Sequence, residues 1–125
     1  MQGLLQDWID IEGTGNDEIL QSGSRWPNLE GFQDVIFWLE VRMVTSVATE
    51  LRIHYQTAPV DEPMLFTDMV ADFPIGVTGS PVVTTVLQSQ NPLVPVSGLI
   101  RWRITSVAGG TWKVTFRIHF VAKRR

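Results

Sequence analysis

Along most of this chain apolar and polar residues alternate with a period of two. That spacing puts every second side chain on one face of a strand. From Gln33 to Val44, Val35, Phe37, Leu39, Val41 and Met43 share one side. The other side carries Asp34, Ile36, Trp38, Glu40 and Arg42, a mixed face that predicts partial cover or a nearby interface. Glu50 to Thr57 turns Leu51, Ile53 and Tyr55 inward and Arg52, His54 and Gln56 outward. Ser80 to Ser89 is rich in Val and Thr, which suit a pleated surface. Near the C-terminus, Ile100, Trp102 and Ile104 alternate with Arg101, Arg103 and Thr105. Trp112, Val114, Phe116, Ile118 and Phe120 then alternate with Lys113, Thr115, Arg117 and His119. Ser106 to Gly110, ending in two glycines, joins these two runs and predicts a β-hairpin.

Turn residues divide the remainder. A short first strand is expected from Trp8 to Glu12, followed by a polar loop from Gly13 to Gly23. Trp26-Pro27-Asn28 and Asn91-Pro92 mark turns, and Pro95 confines its neighbourhood to an edge or loop. Asp61 as cap and Pro63 in a first turn suit a short helix through Met69, stopped by Phe73-Pro74. An irregular loop fits the same residues equally well. These elements predict an all-β protein of about seven to eight strands with at most one short helix. The architecture expected is a single antiparallel β-sandwich over residues 1–125, with a jelly roll as one form of it. An apolar content of 44% and a charged content of 18% supply a core and argue against disorder.

Charge adds the first hint of partners. All thirteen acids lie at or before Asp72, where only Arg25, Arg42 and Arg52 oppose them, a formal −10. Beyond Asp72 stand seven Lys or Arg and no acid, a formal +7, and the net charge is −3. Arg101, Arg103, Lys113, Arg117 and His119 share the outward parity of the expected hairpin, and Lys123, Arg124 and Arg125 extend it as a tail. This predicts one localised basic contact surface on an otherwise acidic sandwich. Thr, Val and His rather than aromatics lie between the cations, and the pI is about 5.2, which argues against nucleic acid. The acidic surface of a neighbouring subunit is the simpler match.

The search for chemistry finds no site. With no cysteine, the chain has no disulfide, thiolate ligand or cysteine nucleophile. His54 and His119 read as solvated residues on sheet faces, because neither has a ligand at metal spacing along the chain. Asp7, Asp10 and Glu12, Asp17 and Glu18, and Asp61 and Glu62 fall mostly in turn-like segments, where Asp serves backbone geometry. The loop around Asp17 lacks the acidic ladder of an EF-hand. Gly109-Gly110 joins two strands and opens no helix, so it forms no phosphate loop, and no GxSxG elbow occurs. The expectation is a non-enzymatic protein without cofactor or metal. Trp102 and Trp112 point inward, leaving Trp26 and Trp38 as surface candidates for an interface or a sugar. Met1 to Gly13 shows neither a basic segment nor an apolar run, so no signal peptide is expected and synthesis in a host cytoplasm is. The longest apolar stretch, Val35 to Leu39, is too short to cross a membrane.

One segment carries a resemblance. Glu50 to Asp61, followed by Leu65-Phe66, is similar to a strand–turn element of small β-sandwich virion proteins of tailed bacteriophages. A cysteine-free sandwich ending in a long strand and a basic tail also resembles capsid decoration or cement proteins. The element covers a minority of the chain and occurs in carbohydrate-binding sandwiches as well. The resemblance implies repeated copies on a virion, often as trimers, in contact with the major capsid protein or other virion subunits. A tail or baseplate module and a lectin-like carbohydrate-binding module are the alternatives.

Overall fold

The computed structural model describes residues 1–22, 26–46, 50–75, 80–90, 92–107 and 109–124. Gly23, Asn91, Ala108 and Arg125, which the sequence places in turns and in the tail, lie outside them. Two antiparallel sheets face each other. In one, strands β1 (Gln2–Thr14), β9 (Thr111–Lys123), β3 (Asp34–Ser46) and β7 (Val82–Val86) lie in the order β1-β9-β3-β7. In the other, β2 (Asp17–Leu20), β8 (Leu99–Val107), β4 (Glu50–Ala58) and β5 (Thr67–Asp68) lie in the order β2-β8-β4-β5, and β6 (Phe73–Pro74) also pairs with β4. Except between β4, β5 and β6, each successive strand crosses to the opposite sheet. That is a jelly roll, with one strand position filled by the two fragments β5 and β6.

The inward parities expected from the sequence form the core. Val35, Phe37, Leu39, Ile53, Tyr55, Ile100, Ile104, Trp112, Val114, Phe116 and Ile118 are all buried. Phe37 stacks on Tyr55 across the two sheets at 4.1 Å, and Trp102 meets Phe116 edge-on at 5.1 Å. Such pairs add to the area they bury. The fit is close at Gly13, where a Cβ would stand 2.5 Å from the buried Trp112 ring.

The expected C-terminal hairpin does not form. β8 and β9 lie in different sheets, and the chain turns the corner at Gly109, whose φ is +84°. β9 has one wholly apolar face and β8 one that is apolar but for Ser106, and a sandwich buries such faces by opposing them rather than laying them side by side. The alternation is the same in either arrangement.

Three further expectations change. The register slips between Val41 and Met43, so Met43 points outward and is 44% exposed, while Val44 is half-buried. This is a β-bulge, which reverses the facing of the residues beyond it. The first strand extends well beyond Trp8 to Glu12, and slips between Leu4 and Gln6 and between Gln6 and Ile9 break its alternation. The expected polar loop contains β2. In place of the helix from Asp61 to Met69, Pro63–Leu65 form one 3-10 turn, with Glu62 rather than Asp61 as its cap.

Candidate functional site

The outer face of the β2-β8-β4 sheet is built by three cross-strand pairs, Arg52 with Thr105, His54 with Arg103, and Gln56 with Arg101. Residues 66–74 fold back along β4 and close much of this face. Asp68 receives His54 Nδ1 at 2.9 Å and Gln56 Nε2 at 2.9 Å on its two oxygens. His54 Nε2 lies 2.9 Å from Thr105 Oγ1. Arg52 donates through Nε to Asp72 at 2.6 Å and also pairs with Glu50 at 3.0 Å. Burial works to raise the Asp72 carboxyl, but the Arg52 hydrogen bond and the charges of His54 and Arg52 outweigh it and hold it low.

His54 is therefore buried, not solvated, because a distant segment covers it. Threonine, histidine and aspartate in this order are the parts of a proton relay. Here all three are tied between β4, β8 and the returning segment, and they act as a clamp. Among the described residues no group of three His, Asp or Glu is arranged to hold a metal.

Arg101 is nearly buried on the same side. Its Nε donates to Gln56 at 2.9 Å, and its guanidinium lies 4.0 Å from the Phe66 ring and 5.5 Å from that of Trp26. Its Nη1 is buried with no hydrogen-bond partner among the described residues. Burial and the neighbouring Arg103 both lower its affinity for a proton, against the pull of Glu18. Arg103 itself pairs with Glu18 at 2.6 Å. Trp26 packs edge-on against Phe66 at 4.7 Å.

The opposite outer face, on the β1-β9-β3 sheet, is a second network. Glu40 Oε2 accepts from Arg117 Nε at 2.6 Å and lies 2.7 Å from His119 Nε2. Trp8 has the guanidinium of Arg42 at 3.9 Å and that of Arg117 at 4.6 Å from its ring centre, stacking that favours both cations. Thr115 donates to Asp10 at 2.6 Å. Trp38, half-buried, stands between His119 and Val83 in register. Lys113 is exposed opposite Glu12, Lys123 stands opposite Asp34, and Arg124 lies 4.6 Å over Phe32.

The single basic surface expected from the sequence is thus divided. Arg101, Arg103 and Trp26 belong to one outer face, while Lys113, Arg117, His119 and Trp38 belong to the other. Folding also mixes the charges. β9 lies between β1 and β3, and β8 between β2 and β4, so each base-rich strand is flanked by strands from the acidic part of the chain. Sequence reasoning missed Glu18, Glu40, Asp68 and Asp72 as partners. Only the strand order brings them to the cations.

Several apolar side chains remain exposed, some of them on loops at one end. The loop after β4 presents Val60, Met64 and Leu65, and the loop before β8 presents Leu93, with Met64 90% and Leu93 68% exposed. Both loops leave from the end where Ala58 of β4 meets Leu99 of β8. A groove of about 790 Å³ lies elsewhere, between the edges of β1 and β2, lined by residues that include Leu4, Ile9, Ile19, Leu20 and Trp102.

No protein-family model and no curated protein matches this chain. Among solved structures, one chain comes from work on Bacillus endospore appendages, described as a novel family of disulfide-linked pili. It is 15% identical, with a TM-score of 0.48, over 100% of this chain and 92% of its own. A chain of the infectious bursal disease virus Gx strain is 11% identical, with a TM-score of 0.52, over 99% of this chain. This protein spans only 32% of that viral chain, and the likeness is one of fold.

Proposed function

We propose that this chain is a non-enzymatic structural subunit of a virion, and within that class a capsid decoration or cement protein. The observation that carries the reading is the set of exposed apolar side chains Val60, Met64 and Leu65 on the loop after β4. The outer faces commit most of their polar groups to partners within the chain. An exposed apolar loop is the kind of surface a protein buries against another protein. The jelly roll shared over 99% of the chain with a viral chain supports the virion class. Its partners in this reading are the major capsid protein or other virion subunits, together with its own copies, trimers included. Among the described residues the cations are divided between two faces and mostly paired with acids, which favours a protein partner over a phosphate backbone. A tail or baseplate module would use the same physics.

The test is co-sedimentation with undecorated shells assembled from the major capsid protein of the same genome. Wild type is expected to pellet with shells, and Met64→Ser combined with Val60→Ser is expected to lose most of that retention while folding normally. No retention by shells, together with selective binding on a glycan array, would replace this reading with a carbohydrate-binding one.

A further inference from the structure

Among the described residues the sandwich has four open sides, and three of them are protected against further strand pairing. The register of β1 breaks twice, and the strand carries Asp7, Asp10 and Glu12. β2 is only four residues long and includes Asp17 and Glu18. β5 and β6 are two residues each. Short length, bulges and charge are the usual means of blunting an edge. β7, five residues long, has neither bulge nor charge. Val82–Val86 run in unbroken register with β3, from Leu39 to Val35, without a charge, glycine or proline. Val83 is 51% exposed and Val82 38%.

From this contrast we infer that β7 is a self-association edge, where the β7 strands of two copies pair antiparallel about a two-fold axis. The two four-stranded sheets become one continuous sheet of eight strands. A second copy is the occupant because an identical antiparallel edge matches its own hydrogen-bonding pattern. The contact closes on itself rather than propagating. No like charges face each other across it.

A two-fold axis through Thr84 sets the partner's Val82 beside Val86. Val86 borders a hollow of about 230 Å³ whose walls mix Val70, Ala71, Pro92 and Leu93 with Thr85 and Gln90. The pairing therefore places an apolar side chain at a partly apolar recess. Five residues of strand span only about 17 Å. Such a contact buries less than the roughly 1,200–2,000 Å² of stable complexes, so the dimer is weak and concentration-dependent. This interface does not depend on the virion reading, and its test uses the free protein.

Sedimentation equilibrium over a wide concentration range should show wild type rising from 14.1 kDa towards twice that mass. Val83→Lys with Thr85→Lys sets lysines opposite one another across the axis and should hold the mass at 14.1 kDa, with far-UV circular dichroism unchanged. Thr84→Cys introduces the only thiol in the chain. Under mild oxidation it should form a disulfide-linked dimer several-fold faster than Thr45→Cys, placed on an exposed position of β3. This arm decides the matter if the lysine variant fails to fold. Wild type that stays monomeric at every concentration, or Thr84→Cys that cross-links no faster than Thr45→Cys, overturns the inference.

Discussion

Arg117 on β9 donates to Glu40 on β3 at 2.6 Å, across a register pair that joins the basic and acidic parts of the sequence. A diagonal form of it recurs where Arg103 on β8, in register with Leu20, reaches back to Glu18 on β2. A charge division that looks in one dimension like two surfaces for two partners becomes, in the jelly roll, a set of cross-strand pairs within one molecule. Cross-strand opposite charges favour the observed register over a slipped one.

This pairing predicts an acid limb of instability. The Arg117 hydrogen bond is the main reason the Glu40 carboxyl is held low; His119 adds to it and burial opposes it. Asp72 is also held low, through Arg52 and His54, against its burial. A carboxyl depressed in the folded state stabilises fully above its unfolded value, and that stability is lost as pH falls through the folded value. Urea midpoints should be nearly level around neutrality and fall below about pH 4. Glu40→Gln should lower the neutral midpoint and make the acid limb shallower. If its acid limb matches wild type, Glu40 has no part in it.

Side-chain facing was readable in the sequence, and neighbours were not. Ile100, Trp102 and Ile104, and Trp112 through Phe120, face inward as their alternation requires, because each strand has one wholly buried side. Whether β8 lies beside β9 or across from it leaves no mark on that pattern. β1 was legible only in part because two register slips interrupt its period, and β2 is too short to show one. The polar networks were invisible for the same reason. His54 and Asp68, or Glu40 and Arg117, meet only once strand order is known.

Tyr55 offers a test of packing against polarity. Its ring lies parallel to Phe37 within 3°, while its hydroxyl is buried with no hydrogen-bond partner among the described residues and burial raises its pKa strongly. Tyr55→Phe keeps the stack and removes the unpaired group. Its unfolding free energy should stay within about 1 kcal/mol of wild type or rise. Tyr55→Ala should cost about 3–5 kcal/mol, as large aromatic deletions do. A marked loss in Tyr55→Phe would mean that the hydroxyl has a partner in solution.

The His54 clamp predicts local rather than global opening. Residues 67–75 reach β4 through backbone bonds from Met69 to Tyr55 and from Ile75 to Leu51, besides the Asp68 and Asp72 contacts. His54→Ala leaves Asp68 and Thr105 without their shared partner, at a cost of about 1–3 kcal/mol. Hydrogen exchange at the Met69 and Ile75 amides should accelerate well before that of β9. Equal acceleration along β9 would show that the clamp holds the whole sandwich and not this segment alone.

Arg101 separates a packing role from a contact role for the cations. It is 5% exposed, lies on Phe66, and has Gln56 as hydrogen-bond partner, with one guanidinium nitrogen unpaired among the described residues. A buried cation without a close carboxylate gives little net stability, and an apolar side chain of similar length can replace it. Arg101→Met should therefore unfold within about 1 kcal/mol of wild type. Arg101→Glu puts a carboxylate into the same desolvated slot between aromatic rings and should be severely destabilising. Arg103→Glu opposes Glu18 at a half-exposed position and should have a much smaller effect. Denaturation midpoints in the order Met, then Arg103→Glu, then Arg101→Glu would place Arg101 in the structure of the face rather than on its contact surface. If Arg101→Glu folds as stably as wild type, the guanidinium is solvated and free to meet a partner.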